Sequence, residues 1–113
     1  MTEIMTPDAV IRELNRLMAE SQNGIRALYD AEIKVAQLDA DYDRAVSLAQ
    51  LEATGTALDR TASAKLACVD MKLALDIAKA ELNRIKQKLR AMDSAQVAVS
   101  VIAKQVELTI RHA

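Results

Sequence analysis

The sequence predicts an all-α fold: a single helical domain over residues 1–113, built as a long antiparallel helical hairpin or coiled coil that forms oligomers. Three observations lead there. First, the chain has two aromatic residues (Tyr29 and Tyr42), no Phe or Trp, two Gly and one Pro. That leaves few large fillers for a compact globular core and matches the composition of helical hairpins. Second, hydrophobic residues make up 51% of the chain and charged residues 27%. The first figure is too high for disorder, and the close mixing of the two classes calls for amphipathic helices. Third, the second half carries a heptad repeat, described below.

The elements follow in order. Thr6-Pro7-Asp8 is a helix start, with Thr6 able to cap, Pro7 suited to the first helical position and Asp8 favoured by the helix dipole. Apolar residues then recur at Ile11, Leu14, Met18, Ile25 and Leu28, and again at Val35, Leu38, Tyr42, Ala45 and Ala49, in the steps of three and four that mark a helix. Ser21 interrupts this stripe, and Asn23-Gly24 can bend or break the helix. This helix is expected over about 7–53 and a turn over about 54–56. There Gly55 can adopt the left-handed conformation that ends a helix, and Thr56 with Asp59 forms a capping-box-like start to the next. Two long helices joined by so short a turn run antiparallel.

The second helix is expected from about 57 to 92, continuing or re-capped at Asp93-Ser94 as a short third helix to about 111. With Cys68 at heptad position a, the a row is Cys68, Leu75, Leu82, Leu89, Gln96, Ala103 and Ile110. The d row is Met71, Ala78, Ile85, Met92, Val99 and Val106. Twelve of these thirteen are apolar, a coiled-coil pattern in which the single polar Gln96 can select register or oligomeric state. The valines of SAQVAVSVIA (94–103) alternate as in a strand, but the unbroken heptad favours helix. A second apolar row, Leu66, Val69, Leu73, Ile77 and Ala80, runs beside the seam. One face packs on the first helix, so the other needs a partner, and a homo-oligomer is the expectation.

The chain lacks any run of about 18 apolar residues, and MTEIMTPDAV lacks the features of a signal peptide. The reading is therefore a cytoplasmic protein with no membrane association. Cys68 lies on the apolar stripe and reads as a buried small hydrophobe in a reducing compartment.

Enzyme chemistry is not expected, nor is a cofactor, a bound metal or a small-molecule substrate. His112 is the only histidine and has no metal-ligand spacing to Cys68. No Gly-rich phosphate loop, nucleophile motif or HExxH pattern occurs. Asp39, Asp41 and Asp43 lack the Gly and distal Glu of a calcium loop and read as a solvated helix face.

Charge layout is more informative. Residues 1–56 hold five basic and ten acidic side chains, net −5, and residues 57–113 hold ten basic and six acidic, net +4. Side by side in a hairpin, the halves would attract each other. Within KAELNRIKQKLR (79–90), Lys79, Arg84, Lys86, Lys88 and Arg90 face one acid, Glu81. The cluster is either the solvated side of a helix, partly paired with first-half acids, or a face that holds a polyanion through phosphate contacts. With so few aromatics such binding would be independent of sequence.

The run from Asp41 to Gln105 resembles a group of small all-helical bacteriophage proteins. In these an alanine-rich helix leads through an (E)xxG(S/T)xxxRxAxA turn into a helix ending in a KxxLRAxxxxxxxxS-like segment. The matching residues are Glu52, Gly55, Thr56, Arg60, Ala62 and Ala64, then Lys86, Leu89, Arg90, Ala91 and Ser100. Such proteins are distantly similar to the recombination mediator of T-even phages, an oligomeric protein that binds single-stranded DNA and helps load a recombinase onto strands covered by single-strand-binding protein. The resemblance implies a phage-encoded accessory of recombination in the host cytoplasm. Lys79, Arg84, Lys86, Lys88 and Arg90 would contact the DNA backbone, aided by Arg60, Lys65 and Lys72, and the seam from Cys68 to Val106 would build the oligomer. The competing reading is a coiled-coil scaffold, adaptor or host-directed inhibitor acting only through protein contacts.

Overall fold

The computed structural model describes residues 6–111, which form three α-helices: α1 (Pro7–Glu52), α2 (Ala57–Ala67) and α3 (Val69–Arg111). Among the described residues there is no strand, and no helix is long and apolar enough to cross a membrane. The chain divides into two compact units. One joins the residues up to Ala27 with those from Ile85 onward, and the other is Leu28–Arg84.

α1 and α2 start where their capping chemistry places them. Thr6 Oγ1 accepts the Ala9 N–H at 3.2 Å, and the Thr6 carbonyl accepts the Val10 N–H at 3.0 Å. At α2, Thr56 Oγ1 accepts the Asp59 N–H and the Asp59 carboxylate accepts the Thr56 N–H, both at 3.2 Å. This is a reciprocal capping box, with Asp one methylene shorter than the usual Glu. Gly55, at φ +106°, supplies the turn before it.

Of the two expectations for the second long segment, continuation past Met92 holds and re-capping at Asp93-Ser94 does not. The segment is interrupted instead at Cys68, whose N–H is shared between the carbonyls of Ala64 (3.1 Å) and Lys65 (3.3 Å). The Cys68 carbonyl then accepts the Lys72 N–H at 3.0 Å, so hydrogen bonding of helical type resumes at once. Asp93-Ser94 caps nothing: Ser94 donates its hydroxyl to the Arg90 carbonyl at 3.2 Å inside an unbroken α3. The valines of 94–103 are helical.

In the unit holding the chain's two ends, Val10, Leu17 and Met92 are the buried hydrophobes. Pro7, Val10 and Ile11 line a groove with Ala103, Val106 and Ile110, and Gly24 lies against Leu89. Low residue numbers meet high ones, so α1 and α3 are antiparallel here. Of the expected apolar stripe, Leu14, Leu28, Val35, Leu38, Tyr42, Ala45 and Ala49 are covered, but Ile11, Met18 and Ile25 are more than half exposed, while Val10 and Leu17 are 3% exposed. The covered positions of α1 run Val10, Leu14, Leu17, Ser21, Gly24, Leu28, Ala31, Val35, Leu38, Tyr42, Ala45 and Ala49, alternating steps of four and three. That is a seam of period 3.5 along α1.

Ser21 and Gly24, read as an interruption and a possible bend or break, are members of that seam, and both are helical within α1. The reason at Gly24 is steric. A Cβ placed there would stand 2.5 Å from Leu89 Cδ2, so the absent side chain is the hole that the Leu89 knob fills.

In the other unit the buried residues are Ala64, Cys68, Leu75 and Ala78. Lys72 Nζ sits 5.7 Å from the centroid of the Tyr42 ring, a cation–π contact between α3 and α1. Small side chains dominate this core, which lets helical backbones approach closely.

Candidate functional site

The heptad row assigned to an oligomer seam is covered inside the single chain. Cys68, Leu75, Ala78 and Met92 are buried, Leu82, Ile85, Leu89, Gln96, Val99 and Val106 are half-buried, and Met71 lies at the margin of exposure. Of the flanking a positions, Ala103 is half-buried and Ile110 exposed. The seam thus closes the hairpin, each unit burying its own part. The second row, by contrast, is open: Leu66, Val69, Leu73 and Ile77 are all more than half exposed.

The basic residues fall into two groups by what engages them. Arg84 donates to Glu81 at 3.1 Å one turn back, and Lys72 pairs with Asp76 at 3.3 Å while covering Tyr42. Lys79, Lys86, Lys88 and Arg90 are exposed and, among the described residues, make no ion pair. Arg60 and Lys65, near the turn, are likewise exposed and without an ion pair. Of the two readings of the cluster, partial pairing with first-half acids does not occur among the described residues. Every ion pair among the described residues lies within one helix, three or four positions apart.

At about 100° of helix per residue, Lys86 and Arg90 stand one turn apart on one face of α3 and Lys88 lies nearly opposite. Lys79 and Arg84 belong to the other unit. The cluster is thus a pair of neighbouring cations with others spread round the helix, and not a single stripe.

Elsewhere charge is satisfied locally. Arg16 bridges Glu13 and Glu20 on α1, with 2.7 Å to the latter. The hydrogen bond from Arg16 holds the Glu13 carboxyl below the usual carboxylate range, its burial acting weakly the other way, and the same pairing raises the Arg16 guanidinium. Asp39, Asp41 and Asp43 are exposed on α1, Asp41 within 3.8 Å of Arg44, and no group of three potential metal ligands occurs among the described residues. Cys68 is a free, buried thiol. His112 lies outside the described residues.

No family model, no curated protein and no solved structure matches this chain.

Proposed function

We propose that the protein is a phage recombination accessory that binds single-stranded DNA non-specifically, as an oligomer, and assists loading of a recombinase. The observation that carries this reading is that Lys86, Lys88 and Arg90 are exposed and make no ion pair among the described residues, although Asp and Glu outnumber Lys and Arg overall. Cations left free where acids are abundant suit an external anion, and the placement of Lys86 and Arg90 one turn apart suits successive backbone phosphates. The resemblance over residues 41–105 supplies the recombination context, with a recombinase or single-strand-binding protein as partner. Three cations per chain would give log K falling with log salt at a slope of about −2 for a single strand.

Fluorescence anisotropy of a labelled single-stranded oligonucleotide, titrated at low and physiological salt beside a duplex, tests this. Binding that favours the single strand and is abolished by Lys86→Glu, Lys88→Glu and Arg90→Glu together is the expected result. Absence of binding at low salt sinks it.

The exposed row on α2 and α3 favours a second reading, a coiled-coil scaffold, adaptor or host-directed inhibitor acting through protein contacts alone. On that reading the same charge reversals leave every interaction intact.

A further inference from the structure

The outer side of the Leu28–Arg84 unit carries an apolar row that the fold does not cover. Leu58 (79% exposed) and Leu66 (78%) on α2 are followed by Val69, Leu73 and Ile77 (61%) on α3, with Ala62 and Ala80 filling the intermediate positions. The spacing 58, 62, 66, 69, 73, 77, 80 repeats every eleven residues, about 3.67 per turn. Within each of α2 and α3, which meet at Cys68, such spacing keeps the row on one side of the helix. The row is distinct from the period-3.5 seam that closes the hairpin.

The edges of the row differ in charge. Asp59, Asp70 and Glu81, themselves eleven residues apart, flank it on one side. Lys65 and Lys72 flank it on the other, together with Asp76, whose charge is met by Lys72 at 3.3 Å. When two such helices pair antiparallel, each edge meets its own copy, acid against acid and lysine against lysine. When they pair in parallel, the acidic edge of each meets the basic edge of the other. Arg84 already pairs with Glu81 and Lys72 with Asp76, and Asp59 closes the capping box, so the discriminating charges are Asp70 against Lys65.

We infer that this row is the surface on which a second copy of the chain docks, with α2 and α3 of the two copies side by side and parallel. Five side chains each exposing roughly 100 Å² of apolar surface give about 500 Å² per copy, and so about 1,000 Å² for the pair. That area is the threshold for a specific interface, and the patch on each copy is at the upper end of what a monomer ordinarily leaves bare. The inference specifies the assembly invoked above but does not depend on DNA binding.

The test is light scattering and sedimentation velocity of the full chain at about 50 μM, with Leu66→Glu/Leu73→Glu as the disrupting variant. Circular dichroism would verify that its helices persist. The expected results are an assembled wild type and a variant of single-chain mass. Orientation is read by oxidising Ala62→Cys. In the parallel pair this position meets its own copy and forms an intermolecular disulfide, whereas an antiparallel pair cross-links Ala62→Cys only to a cysteine placed near the other end of the row, such as Ala80→Cys. A monomeric wild type, or assembly indifferent to Leu66→Glu/Leu73→Glu, overturns the inference. Cross-linking of the 62/80 mixture without the 62/62 product overturns the parallel orientation. DNA binding by the monomeric variant, measured by anisotropy, separates failure of the interface from failure of the DNA reading.

Discussion

At the scale of the residue, Gly24 shows a local rule inverted by its neighbour. A glycine in mid-helix ordinarily costs about 1 kcal/mol relative to alanine, so Gly24→Ala in a free helix would stabilise. Here the new Cβ meets Leu89 Cδ2 at 2.5 Å, and moving the end of that leucine cancels the gain. The expected outcome is a change within about 0.5 kcal/mol for Gly24→Ala in the wild-type background but a stabilisation near 1 kcal/mol in a Leu89→Ala background. A urea-denaturation double-mutant cycle reads the difference, and additive effects would show that Gly24 is not Leu89's hole. Glu13 gives a prediction in pH. Its carboxyl is held below its ordinary value of 4.5 by Arg16, so its contribution is complete above the unfolded value and is lost as pH falls through the lower folded one. Acid titration of helicity should therefore show a small loss below about pH 4.5 that Glu13→Gln removes. The effect is small because the pair is exposed.

At the scale of the element, burial divides side chains that look alike in sequence. Leu75 is 1% exposed and Met18 56%. Leu75→Ala should thus cost about 2–4 kcal/mol and Met18→Ala less than about 0.5 kcal/mol, measured by thermal or chemical unfolding. Similar costs for both would mean that α1 presents a different face from the one described. Thr56→Ala removes one half of the capping box and should cost about 1 kcal/mol, with the fraying confined to the start of α2 in hydrogen exchange. Much of this was legible beforehand. Thr6, Gly55, Thr56 and Asp59 act through local chemistry that the residue types announce, and α3's heptads are rich enough in Leu and Met to fix their own phase. The phase of α1 was legible from Leu28 to Ala49, where the expected positions are covered, but not before Leu28, because there the seam includes Ser21 and Gly24 while the neighbouring row Ile11, Met18, Ile25 is more apolar. A seam is chosen by what the facing helix can fit, and Leu89 lies sixty-five residues away in sequence. Nor does anything local mark Cys68 as the junction of α2 and α3 strongly, since Cys68-Val69-Asp70 are only mildly weak helix formers and no Gly or Pro stands there. For the basic cluster, residue types gave the charges, but whether they pair internally depended on the packing.

At the scale of the whole molecule, the opposed charges of the two halves raise a question of what holds the hairpin closed. Residues 1–56 sum to −5 and residues 57–113 to +4, which by itself suggests that attraction between helices contributes. Yet every ion pair among the described residues joins positions three or four apart on one helix, and all are exposed. Contacts of this kind stabilise by a few tenths of a kcal/mol each and are screened by salt. Between helices the contacts are instead apolar or steric, as at Gly24 and Leu89, with one cation–π contact at Tyr42. Raising sodium chloride from 0.05 to 1 M should therefore change the unfolding free energy by less than about 1 kcal/mol. Binding of single-stranded DNA through Lys86, Lys88 and Arg90 should fall by more than a hundredfold over the same range. Parallel unfolding and anisotropy titrations in one salt series make the comparison. A hairpin that loosens as steeply as the DNA is released would show that long-range attraction between the halves closes the fold and engages the cations read here as free.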